Sequence, residues 1–125
     1  MSNNQEKPLI LVAEDTDSNY MLLEAILHKS YNLIRAMEGK EAIDLFQERH
    51  PDLILMDIKM RGMSGLDATM QIRKISKDIP IIAQSAYAFA EDIESALNCG
   101  CNDFITKPIS RNLLLEKIHK YLPEE

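Results

Sequence analysis

Five residues able to do polar chemistry stand where apolar runs stop. Glu14 and Asp15 follow "LILVA", Asp57 ends "DLILMD", Ser85 follows "PIIAQ", and Lys107 follows "NDFIT". A carboxylate at the end of a buried run is costly unless something pairs with it. Three carboxylates held together repel one another, so either they take up protons or a cation sits among them. With no His or Cys at any run end, the ligands are all oxygen, which suits a hard ion, Mg²⁺ or Mn²⁺, that keeps several waters. Such an ion, with a lysine ammonium opposite, stabilises a transferring phosphoryl group, whose negative charge spreads over its oxygens. Ser85 would donate a hydrogen bond to one of those oxygens, and backbone amides after Asp57 another, with Gly62 and Gly65 making that loop adaptable. A carboxylate can itself be the nucleophile and form an acyl phosphate. Asp57, between apolar residues and a glycine-containing loop, is the best candidate.

Elements that could bring these five residues together are legible in the pattern. "PLILVA" (8–13), "YNLIRAM" (31–37), "DLILMD" (52–57), "PIIAQSA" (80–86) and "NDFITK" (102–107) read as strands, the second a weaker edge strand. Between and after them run amphipathic stretches with helical spacing. The first (17–30) carries Met21, Leu22, Ala25 and Ile26; the second carries Ala42, Ile43, Leu45 and Phe46 and ends before Pro51. The third has Ser64 as N-cap and Leu66, Met70, Ile72 and Ile75 for its buried side. The fourth closes on Gly100, and the fifth is "SRNLLLEKIHKYL". Five strand and helix units in strict alternation imply an α/β domain, a doubly wound five-stranded parallel sheet with five helices, because parallel strands need right-handed crossovers. Functional groups in such sheets gather beyond the carboxyl ends of the strands, which is where all five residues fall.

Composition is consistent with one such domain. The 125 residues are 46% hydrophobic and 27% charged, and 14 Lys+Arg against 20 Asp+Glu give a formal charge of -6, which opposes sequence-independent nucleic-acid binding. The expected organisation is a polar tail at 1–7, one domain at 8–123 and a short tail at 124–125. "MSNNQEK" lacks the apolar centre of a signal peptide, and no apolar run approaches the roughly 20 residues of a membrane span, so the expected location is cytoplasmic. Cys99 and Cys101 are too close for a comfortable bridge and lack the partners of a zinc site, so they are expected as reduced structural thiols. His28, His50 and His119 are assigned to surface or packing, and the seven Met residues to core filling.

The motifs "LVAED", "DLILMDIKM" with "MSGLDA" after it, "PIIAQSAYA" and "GCNDFITKPI", in this order, resemble the receiver domain of two-component response regulators, and most of all the receivers of hybrid sensor histidine kinases. The likeness covers nearly the whole chain and implies a flavodoxin-like, receiver-type fold. It implies that Asp57 is the phosphoacceptor, Asp15 a direct Mg²⁺ ligand and Glu14 an acidic partner acting through water, with the backbone carbonyl of Lys59 completing the metal site. Lys107 would contact the phosphoryl group, and the Lys107-Pro108 bond would be cis. Ser85 takes the place of the switch hydroxyl and Phe104 that of the switch aromatic, which would turn inward on phosphorylation. Lys59 and Tyr87, two residues beyond Asp57 and Ser85, would lie at the mouth of the site and influence access of water to the acyl phosphate. The implied phosphodonor is a histidine kinase or histidine phosphotransfer protein. The implied output surface is the fourth helix, fifth strand and fifth helix, offered to a downstream protein or a second copy. Such a chain assists its own phosphorylation and slow dephosphorylation but is not an enzyme acting on an external substrate. It is either a stand-alone regulator or part of a hybrid kinase.

Two positions depart from the family pattern. Arg61 stands where Pro is common and Ser64 where an acid is common, which makes that loop looser and more basic. Two rival functions share the residues. Asp15 and Asp17 in "EDTDS" resemble the nucleophile motif of haloacid-dehalogenase-like phosphatases, in which Asp15 would be phosphorylated and then hydrolysed. A pseudo-receiver would use the fold only for docking, although none of the expected acids is missing here.

Overall fold

Each apolar run becomes a short strand because β-branched and leucine side chains, buried on both faces, fit a sheet covered by helices. The computed structural model describes residues 7–86 and 89–123. It contains β1 (Leu9–Ala13), α1 (Asp17–Leu27), β2 (Asn32–Ala36), α2 (Gly39–Arg49), β3 (Leu53–Asp57), α3 (Gly65–Ile75), β4 (Ile81–Ser85), α4 (Ala90–Cys99), β5 (Asp103–Thr106) and α5 (Arg111–Tyr121). All neighbouring strands are parallel, in the order β2-β1-β3-β4-β5, so β2 is the edge strand the sequence indicates. The order reverses between β1 and β3. The crevice for a ligand in such a sheet opens at that reversal, where Glu14, Asp15 and Asp57 end their strands. Of the expected tails only Lys7 lies among the described residues.

Alternation along the strands divides the core in two. Leu11, Ala13, Ile54, Met56, Ile81, Ala83 and Phe104 face α2, α3 and α4. Ile10, Val12, Leu53, Leu55, Ile82 and Ile105 face Leu23 and Leu27 of α1 and Leu114 and Ile118 of α5.

Two helical faces differ from the sequence reading. In α1 the buried residues are Leu23 and Leu27, with Tyr20 and Ile26 beside them, whereas Met21 and Leu22 are exposed. The segment "MLLEAIL" is apolar nearly all round, so its pattern fits more than one stripe, and packing against the sheet selects Tyr20-Leu23-Leu27. In α3 the buried side is Ala68, Thr69 and Ile72, while Met70 and Ile75 are exposed. Small residues there let α3 approach the sheet closely, and the larger side chains stay outside. Met21 and Met70 are therefore not core fillers; Met56 is buried, and Met60 and Met63 pack against the core. Ala42 and Phe46 of α2 are buried as expected.

Helix ends follow their sequence signals. Ser64 and Ser110 accept hydrogen bonds from the backbone N–H of Asp67 and Leu113, and Gly100 ends α4 with φ at 119°. For α1 the N-cap is Thr16, whose side chain makes no capping bond. His28, His50 and His119 are all exposed. Both cysteines are free; Cys101 is buried against Thr69, and burial pushes its thiol up to about 11, so it packs as an unreactive core group.

Candidate functional site

β1 and β3 carry their acids into the crevice in register. Ala13 pairs with Met56, which puts Glu14 level with Asp57 on the face that includes Val12 and Leu55. Both acids are buried, Glu14 completely and Asp57 to 2% exposure. Asp15 is half-buried beside them. The Lys107 ammonium completes the group, 2.9 Å from Glu14 Oε1 and 3.1 Å from Asp57 Oδ2. The Lys107-Pro108 peptide is cis, as expected. The backbone N–H of Lys59 donates to Asp57 Oδ1 at 3.2 Å, and that of Thr16 to Glu14 Oε2 at 3.1 Å. The Lys59 side chain is exposed, whereas Tyr87 lies outside the described residues. Ser85 is buried at the end of β4, where its carbonyl accepts from the Lys107 N–H and so fixes the level at which the lysine leaves the sheet.

Burial, then repulsion by Glu14, pushes the Asp57 carboxyl up to about 6, although Lys107 and the Lys59 N–H pull it back. Burial alone would lower Lys107, but its contacts with Glu14 and Asp57 outweigh that and hold it above an ordinary lysine. One ammonium is thus shared by Glu14 and Asp57, with Asp15 as a third acid beside them. Ligand oxygens of Glu14, Asp15 and Asp57 lie within 4.8 Å of one another, a separation one cation could bridge, and the residual negative charge invites a hard divalent ion. The residues present fit such an ion.

Gly65 is needed for a reason other than adaptability. A Cβ at that position would collide with the carbonyl of Asp57, and its N–H donates to Ile58 O at 3.0 Å. The loop after Asp57 is thus pinned where it rejoins α3. Gly62, with φ at 72°, supplies the left-handed turn.

Three participants escape a reading of motifs. Arg61 approaches Asp15: its N–H donates to Oδ2 at 3.1 Å and its guanidinium lies 3.6 Å from the same oxygen. Arg61 is unusual in the sequence, but nothing near it in the chain points to this contact. Arg35 of β2 donates to the carbonyl of Glu14 at 3.0 Å and pairs with Asp17 at 2.9 Å, which gives the second strand a supporting role at the site. Gln84 lies in register with Asp57 and is fully buried. Phe104 is already buried against the α4 side of the sheet. A phenyl ring has no hydroxyl to hold it at the surface, which suits this burial.

The phosphatase-like alternative loses its geometry. Asp17, the second acid of that motif, is exposed and paired with Arg35, away from the cluster formed by Glu14, Asp15 and Asp57. Among the described residues no helix is long and apolar enough to cross a membrane.

Comparison with known proteins agrees with this geometry. The chain is 40% identical over 116 residues to the polar-differentiation response regulator DivK of Brucella ovis, covering 90% of this chain and 94% of that protein. It is 41% identical over 129 residues to hybrid signal transduction histidine kinase I of Dictyostelium discoideum, covering 92% of this chain and 7% of that much longer one. The relatives thus include both a regulator matched along nearly its whole length and a segment of a hybrid kinase. Among solved structures, the receiver domain of a sensor histidine kinase from Pseudomonas aeruginosa PAO1, with a magnesium ion coordinated in its active-site cleft, superposes with a TM-score of 0.87 at 30% identity. That match covers 94% of this chain and 99% of the other. The receiver domain of the Saccharomyces cerevisiae response regulator Ssk1, co-crystallised with the histidine phosphotransfer protein Ypd1, gives 0.86 at 30% identity over 92% of this chain and 88% of that one. The response regulator receiver domain family matches residues 10–119, and with that span and the acid cluster at the β1/β3 crevice, this chain belongs to the family of two-component receiver domains.

Proposed function

We propose that Asp57 is the phosphoacceptor of a phosphorelay, taking its phosphoryl group from the phosphohistidine of a histidine kinase or a histidine phosphotransfer protein. The observation that carries this reading is a buried carboxylate in contact with a half-buried lysine and within cation-bridging distance of two further acids. An Asp57 oxygen attacks phosphorus, the phosphorus–nitrogen bond breaks, and the imidazole nitrogen keeps the electron pair. Asp15 and Asp57 would hold Mg²⁺ directly, Glu14 would act through water and the Lys59 carbonyl would complete the set; Mn²⁺ suits the same oxygens. When bound, the ion supplies positive charge that offsets the charge on the transferring group. Lys107 moves with the transferred charge, exchanging carboxylate contacts for phosphoryl oxygens, and Ser85 donates to one of them. Lys59, exposed two residues beyond Asp57, would influence access of water to the acyl phosphate.

New bonds at Ser85 bias the loop between β4 and α4 and thereby the face formed by α4, β5 and α5. Phe104 is buried beforehand, so the switch centres on Ser85 and not on reorientation of that ring. Phe89, Leu97 and Leu113 are exposed on this side and offer apolar contacts to a downstream protein or a second copy. We assign the domain to residues 8–123 and a cytoplasmic location, including the cytoplasmic end of a membrane-bound hybrid kinase.

The test is transfer from a histidine phosphotransfer protein carrying labelled phosphohistidine, with acetyl phosphate as a second donor in case the protein pair is mismatched. Label should move to this chain in the presence of Mg²⁺ and be released by hydroxylamine, which attacks an acyl phosphate. Absence of label from both donors overturns the reading.

Arg61 gives a further expectation. Its guanidinium and Mg²⁺ compete for Asp15, yet the side chain is 78% exposed, so the competition is weak and screened by salt. Arg61→Ala should tighten Mg²⁺ binding roughly two- to five-fold at low ionic strength and much less in high salt, as read by calorimetric titration. Equal affinities at low salt would remove Arg61 from the metal site.

A further inference from the structure

Gln84 is fully buried, and neither its Oε1 nor its Nε2 finds a hydrogen-bond partner among the described residues. A leucine or methionine would fill the same space without that penalty, so a buried carboxamide with both ends unmet requires an explanation. Its position supplies one. Asp57, Gln84 and Ile105 are Cα partners across β3, β4 and β5, so their side chains leave the same face of the sheet. Ile82 and Ile105 on that face belong to the core under α1 and α5. Lys107 follows Ile105 by two residues and again points to that face. It starts from the end of β5 and reaches Asp57 on β3 and Glu14 beyond β1, so its stem must cross the end of β4, which lies between. Gln84 is the residue of β4 beneath that crossing.

An ammonium has three N–H donors; one donates to Asp57 Oδ2, and Glu14 Oε1 is an ion-pair partner at 2.9 Å. We propose that Gln84 is a positioning residue for Lys107: its carboxamide holds a bound water that accepts a remaining ammonium proton, fixing the lysine arm over Asp57 from below. A buried water needs two to four polar partners, and the ammonium and the two ends of one amide provide them. The amide is neutral, so it steers the ammonium without competing with the acids for its charge. This inference rests on the phosphoacceptor reading for its consequence, but not for the contact itself.

The experiment pairs Gln84→Met with Lys107→Met. Gln84→Met should leave the melting temperature close to that of wild type, since an apolar chain of similar length takes the place of an amide and its water in the same space. It should nevertheless slow phosphorylation by acetyl phosphate roughly tenfold, as loss of a supporting shell typically does. In the Lys107→Met background the same substitution should cost nothing further, because the group it positions is gone. An unchanged rate for Gln84→Met overturns the proposal, and so does an equal loss in both backgrounds, which would make Gln84 merely structural. If the wild type gains no phosphoryl group at all, the phosphoacceptor reading fails first, and NMR decides the contact independently. The side-chain amide resonances of Gln84 should then move on Lys107→Met while those of Asn102, on the opposite end of the sheet, stay in place. Unmoved Gln84 resonances overturn the proposal.

Discussion

Asp57→Ala should abolish the single phosphoryl adduct that intact-mass spectrometry detects after incubation with Mg²⁺ and acetyl phosphate. The structure gives this residue no substitute. Asp57 is the one acid of the cluster that is both in contact with the Lys107 ammonium and within a hydrogen bond of the Lys59 N–H. Glu14 shares the lysine, but its second oxygen is held by the Thr16 N–H on its own strand end. Asp15 is more accessible, but its ion-pair partner is the exposed Arg61 and not Lys107. Asp15→Ala should therefore behave differently. On the proposed roles the nucleophile survives while a ligand of the cation is lost, so the adduct should form at a rate lower by roughly 10- to 100-fold, with much of the loss recovered at high Mg²⁺. An adduct that persists in Asp57→Ala and disappears in Asp15→Ala would reverse the two roles and revive the phosphatase-like reading. Thermal unfolding of each variant separates lost chemistry from lost structure.

The parts of this site legible in the sequence are those fixed by period and position. "DLILMD" is apolar on both faces, so it had to be a central strand, and a carboxylate at its end had to lie in the crevice. The same logic placed Glu14, Asp15, Ser85 and Lys107. The parts that were not legible depend on tertiary choice. Nothing local decides whether Met21 or Leu23 of α1 faces the sheet, because both stripes are apolar. Gln84 reads as one polar residue in an apolar strand; only the register with Asp57 and the path of Lys107 give it meaning. Arg61 reaches Asp15 across 46 residues of sequence, a contact no spacing rule anticipates. Phe104 shows a different gap, since a core aromatic and a switch aromatic have the same local signature, and the sequence does not say that this ring is buried.

Raising the pH of the metal-free protein from 4 to 7.5 should lower its stability, and Mg²⁺ should restore what is lost. The Asp57 carboxyl sits at about 6 in the folded chain against 3.8 as a free group, first because of burial and then because of Glu14. Between those values the folded state keeps a proton that the unfolded state has released, so the contribution is fully present below 3.8 and disappears as pH rises through about 6. The gap corresponds to on the order of 3 kcal/mol. The charged groups facing Asp57 are Glu14, Asp15 and Lys107. Lys107, raised by its partners, contributes stability that is lost only as pH climbs above the ordinary lysine range, outside this window. A bound cation replaces the proton as the neutralising charge, so saturating Mg²⁺ should raise the melting temperature by on the order of 10 °C at pH 7.5 and far less at pH 5, where protons compete for the site. Asp57→Asn removes the titrating group while keeping its shape. That variant should melt higher than the metal-free wild type at pH 7.5, show a flatter pH dependence between 4 and 7, and gain little from Mg²⁺. Scanning calorimetry of both proteins with and without the ion decides the matter. Parallel pH profiles for wild type and Asp57→Asn would mean that the charge of Asp57 is already balanced within the protein, and that the cluster does not depend on a cation for its neutrality.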